Sequence, residues 1–241
     1  MKRLSVLALI IRTGALFAQG ADPDFNAGLV ALHEEQHCTA IAAFSRSVQE
    51  DPGNARAWYY RGLSRDASGD HAGALSDLDR ALLLDPGDAN MLLRRADVLL
   101  NLDRPTEARR DLEQVLSRYP TGPIAIHALF SLGHAGVISG NHEEALAAYD
   151  RLLDLAPNDA RAYCDRGIVL GHLQRHTDAL TDLGRSIQLD ASLQQAYVAR
   201  ALALIALDRK ADACPDLVKA VELGDPSVQE LLLIYCDRQG P

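Results

Sequence analysis

The sequence predicts an all-α solenoid of six helix–turn–helix repeats, and three observations predict it. The chain repeats itself: Asp51-Pro52, Asp85-Pro86, Tyr119-Pro120, Ala156-Pro157 and Asp190-Ala191 follow one another at spacings of 34, 34, 37 and 34 residues. Small residues recur at fixed places, with Gly28, Gly62, Ala96, Gly133, Gly167 and Ala201 at the eighth position of each unit. Ala40, Ala74, Ala108, Ala145, Ala179 and Ala213 stand at the twentieth. Aromatic residues are only 5% of the chain while Ala and Leu are plentiful, which favours helices over sheets. The units are residues 21–54, 55–88, 89–122, 126–159, 160–193 and 194–227.

Composition bounds the function. Apolar residues at 48% and charged residues at 24% are globular usage, not that of a disordered chain. No run of twenty apolar residues occurs, so no integral membrane span is expected. A formal charge of −9 repels phosphate backbones and anionic lipid, which removes nucleic acid and membrane surfaces as default partners.

Taken in order, the elements are these. Residues 1–20 carry a basic start at Lys2 and Arg3, an apolar run over residues 4–11, and small residues at Ala18 and Gly20. That is the pattern of a secretory signal peptide, with Arg12 as its one departure. It implies an exported, periplasmic or secreted bacterial protein; without a signal the chain would be cytoplasmic. Removal would take the formal charge from −9 to −12. Cys38, the first cysteine, lies too far on for a lipid anchor. Within the repeats, Gly69 and Gly140 suit a left-handed exit from a first helix. Asp70 and Asn141 suit the N-cap of the second, and Asn54, Asp88, Asp159 and Ser192 that of the next unit's first helix. Residues 122–125 are extra, inserted between two triplets that match at a shift of 105 residues; a loop or a local change of pitch is expected there. Residues 226–238 place Val228, Leu231, Leu232 and Tyr235 on one face, an amphipathic helix that would cap the open end of the stack.

The register resembles the tetratricopeptide repeat, a 34-residue helix–turn–helix unit. Trp58, Gly62, Gly69-Asp70, Ala74, Ala81 and Pro86 carry the pattern best, and the resemblance runs from residue 21 to about 227. Asp24 replaces the aromatic at the fourth position of the first unit, and Ala191 a proline in the fifth. The resemblance implies a right-handed α-solenoid whose first helices line a concave groove, a non-catalytic scaffold binding a peptide or helix of a protein partner, and no cofactor. The contact positions it implies are Phe25, Leu29, Arg56, Tyr59, Tyr60, Leu63, Leu93, Arg94, Phe130, His134, Arg161, Asp165, Ile168 and Val198. A family subtype that grips C-terminal carboxylates uses a pattern that only Arg94 fits here, so that specificity is not expected. A homo-oligomer burying the apolar face against itself is the structural alternative.

Two further patterns bear on chemistry. Arg61, Arg95, Arg166 and Arg200 stand at the seventh position of the same four units that carry Asp77, Asp111, Asp182 and Asp216 at the twenty-third. Semi-buried charges are usually paired, so each unit is expected to join its two helices by an ion pair. His33-Glu34-Glu35-Gln36-His37 matches the zinc-protease signature, which makes a metalloprotease the enzymatic alternative. Its histidines fall at positions 13 and 17, on either side of the turn, where the shared helical face the signature needs is lost. His71, His142 and His176 also stand at position 17, so this column is expected to pack at the start of second helices and no metal is expected. Cys214 and Cys236 lie at similar offsets from a turn near Gly224-Asp225. In an antiparallel hairpin that places them at one height, within reach of a disulfide.

Overall fold

The computed structural model describes residues 22–236, and every regular element among them is helical. The signal-like segment over residues 1–20 and the last two positions of the expected cap lie outside them. Six helix pairs follow one another: α1 (Pro23–His33) with α2 (His37–Glu50), α3 (Ala55–Ala67) with α4 (His71–Leu84), and α5 (Ala89–Asn101) with α6 (Pro105–Arg118). Then come α7 (Gly122–Ile138) with α8 (His142–Leu155), α9 (Ala160–His172) with α10 (His176–Leu189), and α11 (Gln194–Ala206) with α12 (Lys210–Glu222). A 3-10 turn (Pro226–Val228) leads into a short α13 (Gln229–Tyr235). The chain forms two compact units that divide between Val98 and Leu99, within α5.

The small residues are what let the paired helices close on each other. All six alanines at the twentieth position are fully buried. Each eighth-position glycine faces the residue at position 24: a Cβ on Gly28 would meet the Phe44 ring at 2.5 Å, one on Gly133 would meet Tyr149 at 2.5 Å, and one on Gly167 would meet Leu183 Cγ at 2.7 Å. A methyl group there would drive the helices apart.

The turn inside each pair is the same in all six repeats. The fifteenth residue is left-handed throughout: Glu35 (φ 59°), Gly69 (86°), Asp103 (56°), Gly140 (71°), Gln174 (61°) and Asp208 (59°). The next backbone N–H reaches back to the carbonyl five residues earlier, as in Asp70 to Arg65 (2.9 Å) and Arg175 to Leu170 (2.9 Å). This is the Schellman closure of a helix C-terminus. Glycine favours it, yet four repeats adopt it with a longer side chain.

Caps follow the sequence with one exception. Asp70 accepts from Gly73 N–H (2.9 Å), Asn141 from Glu144 (3.4 Å), Asn54 from Ala57 (3.2 Å), Asp159 from Ala162 (2.9 Å) and Asp88 from Met91 (2.9 Å). Ser192 does not cap α11. Its hydroxyl and N–H both turn to Asp190 Oδ1, at 2.6 and 2.9 Å, and Leu193 takes the cap position without a side-chain bond.

Residues 122–125 are neither a loop nor a free insertion. They are the first turn of α7, which begins at Gly122 (φ 84°) with Pro123 in its opening positions, where a missing N–H leaves no bond unmade. At the C-terminus the expected continuous helix from Pro226 is broken: α13 starts only at Gln229. Val228 is buried against α11 and α12, with Leu231 and Leu232 half-buried beside it. Cys214 of α12 is bonded to Cys236, with Cα atoms 5.7 Å apart.

Candidate functional site

Charge organises the helix pairs before it reaches any surface. Arg61 holds Asp77 in a two-pronged grip (2.8 and 2.7 Å), Arg166 holds Asp182 (2.7 and 2.9 Å) and Arg200 holds Asp216 (2.7 and 2.6 Å). These arginines are structural ties, not free ligand-binding groups. A second arm, not anticipated from the sequence, runs to the twenty-fifth position of the preceding repeat: Arg61 to Ser45 (3.3 Å), Arg95 to Asp79 (2.8 Å) and Arg166 to Asp150 (2.8 Å). The fourth-position aromatics complete the joint. Trp58, Tyr163 and Tyr197 lie under Arg61, Arg166 and Arg200 at 4.7–5.9 Å. Each donates a hydrogen bond to a carbonyl at the end of the repeat before it, Pro52, Pro157 and Ala191 respectively.

The protease-like motif is split by its own turn. His33 ends α1, Glu35 occupies the left-handed position and His37 opens α2. The two histidines therefore share no helical face. Among the described residues no group of three metal-ligating side chains comes together. His71, His142 and His176 likewise open α4, α8 and α10. His142 stacks on His172 with ring centroids 4.8 Å apart.

In the first unit the expected contact residues form an aromatic cluster rather than an open stripe. Phe25 meets Phe44 and Tyr60 edge-on at 5.7 Å, and Tyr60 stacks on Phe44 at 5.8 Å. Leu29 packs on the same cluster, and Arg56 lies over the Phe25 ring at 5.4 Å. Leu63 is half-buried. Tyr59 sits edge-on to Tyr60; burial raises its hydroxyl above the usual tyrosine range, and Arg94 opposes that rise. Leu93 is only 4% exposed, so it leaves the contact set. The fifth position thus packs more than its place on a first helix suggests, because its side chain meets the neighbouring repeat.

The second unit holds an open site. Phe130, His134 and Val137 of α7, Tyr149 of α8, Arg161, Asp165 and Ile168 of α9, and Gln195 of α11 line a cleft of about 300 Å³. Arg161 lies over the Phe130 ring at 5.6 Å, and Phe130 meets Tyr149 edge-on at 6.2 Å. Burial pushes the Asp165 carboxyl up to about 6 and the Cys164 thiol up to about 12, and lifts the Tyr149 hydroxyl well above its usual range. Such shifts gather at functional sites. A second cleft of about 300 Å³ adjoins the first through Ile168 and Gln195. Gly171, His172, His176, Val198, Ala199 and Leu202 line it. Leu202 is 48% exposed. The sequence reading missed this hollow, although its signal is present. The twelfth positions are Leu32, Asp66, Leu100, Val137, Gly171 and Ile205, and at Gly171 alone the side chain is missing. Nothing stands within 4 Å of where its Cβ would be.

Helix pairs of one 34-residue register, joined repeat to repeat and presenting clefts between first helices, define a helical-repeat interaction protein. Models of the tetratricopeptide repeat match residues 25–89, 93–160 and 137–204. The chain belongs to the tetratricopeptide repeat family. Tetratricopeptide repeat protein 13 of Homo sapiens is 29% identical over 138 residues, which are 55% of this chain and 16% of that protein. The chain thus spans less than a fifth of that relative. PilW, described as a type IV pilus biogenesis factor, superposes with a TM-score of 0.77 at 19% identity, over 87% of this chain and 96% of PilW. YrrB, described as a tetratricopeptide protein with an unusual peptide-binding site, gives 0.62 at 19% identity, over 81% and 97%. Both likenesses establish the fold.

Proposed function

We propose that this chain is a non-catalytic scaffold that acts outside the cytosol. Its second unit takes a peptide or helix of a partner protein against the adjoining clefts of α7, α9 and α11. The observation that carries this reading is the pairing of an apolar hollow at Gly171 and Leu202 with a polar cleft at Arg161 and Asp165. Ligand sites are concave and mostly apolar, with a few placed polar groups. The peptide-binding site in the description of YrrB lends support, and the bond between Cys214 and Cys236 fits an oxidising compartment. Leu202→Glu tests it: the variant should melt like the parent yet lose partner capture from a native extract. Leu83→Glu, on the 69% exposed side chain of α4, should keep it. Undiminished capture by Leu202→Glu refutes the assignment. A second reading, self-association through α13, rests on Leu233 and Ile234, which are 63% and 48% exposed side by side; light scattering that reports a monomer refutes it.

A further inference from the structure

The buried aspartates that join the helix pairs are matched to cations, and Asp165 differs from them. Asp77, Asp182 and Asp216 are buried, and each is held by an arginine of its own repeat. Asp165 is half-buried in the cleft wall and has no hydrogen bond or ion pair among the described residues. Its nearest candidate is Arg161, one turn earlier on α9. An Arg-to-Asp pair in that order runs against the helix dipole, and the Arg161 guanidinium lies over Phe130 instead. Asp165 is also the only acid in its column: the sixth positions are Asn26, Tyr60, Arg94, Ser131, Asp165 and Ala199. A half-desolvated carboxylate with no hydrogen bond or close ion pair, eased only by the charge of Arg161, is unfavourable, and a cation brought by a ligand would relieve it.

The adjoining hollow fixes the other half of the ligand. Gly171 opens it, and Ile168, Val198 and Leu202 give it apolar walls. From Asp165 to Gly171 the axis of α9 rises about 9 Å, the span of roughly three residues of extended chain. An acid excess of 33 Asp+Glu over 24 Lys+Arg draws basic segments toward the chain.

Resting on the groove reading above, we infer that the second unit selects a partner segment bearing a basic side chain about three residues from a large apolar one. The basic group pairs with Asp165 and the apolar one fills the hollow at Gly171. Fluorescence anisotropy on the purified chain tests this with short synthetic peptides carrying Lys-x-x-Leu, Glu-x-x-Leu or Lys-x-x-Ser. The Lys-x-x-Leu peptide should bind roughly tenfold more tightly than either control, the scale of one charge-assisted contact. Asp165→Asn should erase the preference for Lys over Glu and keep the preference for Leu over Ser. Gly171→Leu fills the hollow and should erase the preference for Leu. Circular dichroism and melting of both variants show that the fold is retained. Equal binding of the Lys and Glu peptides by the parent chain overturns the charge inference and leaves the groove reading standing. No binding of any peptide overturns both. A Lys preference that survives Asp165→Asn overturns the assignment to that residue.

Discussion

Replacing Asp165 by asparagine should stabilise the protein at neutral pH. Burial strips water from the ionised carboxyl and moves it from the ordinary 3.8 to about 6, with Arg161 opposing and Asp159 adding to the rise. That displacement corresponds to about 3 kcal/mol at neutral pH, which the partial exposure of the side chain reduces to about 1–2 kcal/mol. The sign follows from linkage. The folded chain holds this proton more tightly than the unfolded one, so the stability is present below about 3.8 and is lost as pH rises toward 6. Asparagine does not titrate. The gap between variant and parent should be near zero at about pH 3, open between about 4 and 6, and stay constant above. At about 2–4 °C per kcal/mol for a chain of this size, melting curves across that range resolve it. A gap that is independent of pH would refute burial as the cause. The same substitution should weaken basic-peptide binding, so stability and recognition oppose each other at one side chain.

Arg166→Ala should destabilise by about 3 kcal/mol, because it leaves Asp182 buried and unpaired. Adding Asp182→Ala should return part of the loss, and denaturant melts that show simple addition of the two single effects would exclude the coupling. Two glycines one turn apart on α9 should respond with opposite sign: Gly167→Ala meets Leu183 and should lose about 1–3 kcal/mol, while Gly171→Ala enters open space and should gain up to about 1 kcal/mol of helix propensity. Thermal melts with the same sign for both would mean the packing at position 8 is misjudged. Reducing the bond between Cys214 and Cys236, 22 residues apart, should destabilise by about 3 kcal/mol on the chain-entropy model. Free alkylation of Cys214 and Cys236 themselves, beyond that of Cys38 and Cys164, in protein from its native compartment would remove that bond from the account.

The register was legible because its causes are local and recur. A small residue at position 8 and an alanine at position 20 are needed wherever two helices touch, so six copies of one constraint could be aligned. The pairing of Arg61, Arg166 and Arg200 with their aspartates was legible for the same reason. The open site was not, since it depends on a side chain that is missing rather than present: the hollow at Gly171 shows only when the twelfth positions are compared. Leu93 was misjudged because its place on a first helix does not report its burial, which leaves it only 4% exposed. Ser192 was misjudged because Asp190, two residues away, competes for its hydroxyl and N–H. The extra residues 122–125 suggest a loop or a local change of pitch because Pro120 and Pro123 flank Gly122, yet a proline in the first turn of a helix continues it.

The second arm of the seventh-position arginine sets how far a disturbance travels. In the second unit Arg166 reaches back to Asp150, so α9 cannot swing away from the α7–α8 pair without breaking a charged contact. One repeat later the corresponding residue is Gly184, and Arg200 has no carboxylate to reach at that position. The last hairpin is therefore fastened to its neighbour by apolar contacts and the Tyr197 hydroxyl bond to Ala191, while inside itself it is cross-linked to α13. The last joint of this nearest-neighbour array therefore lacks the charged arm of the joint before it and rests on apolar packing and one hydroxyl bond, while a covalent tie holds α12 to the end of α13.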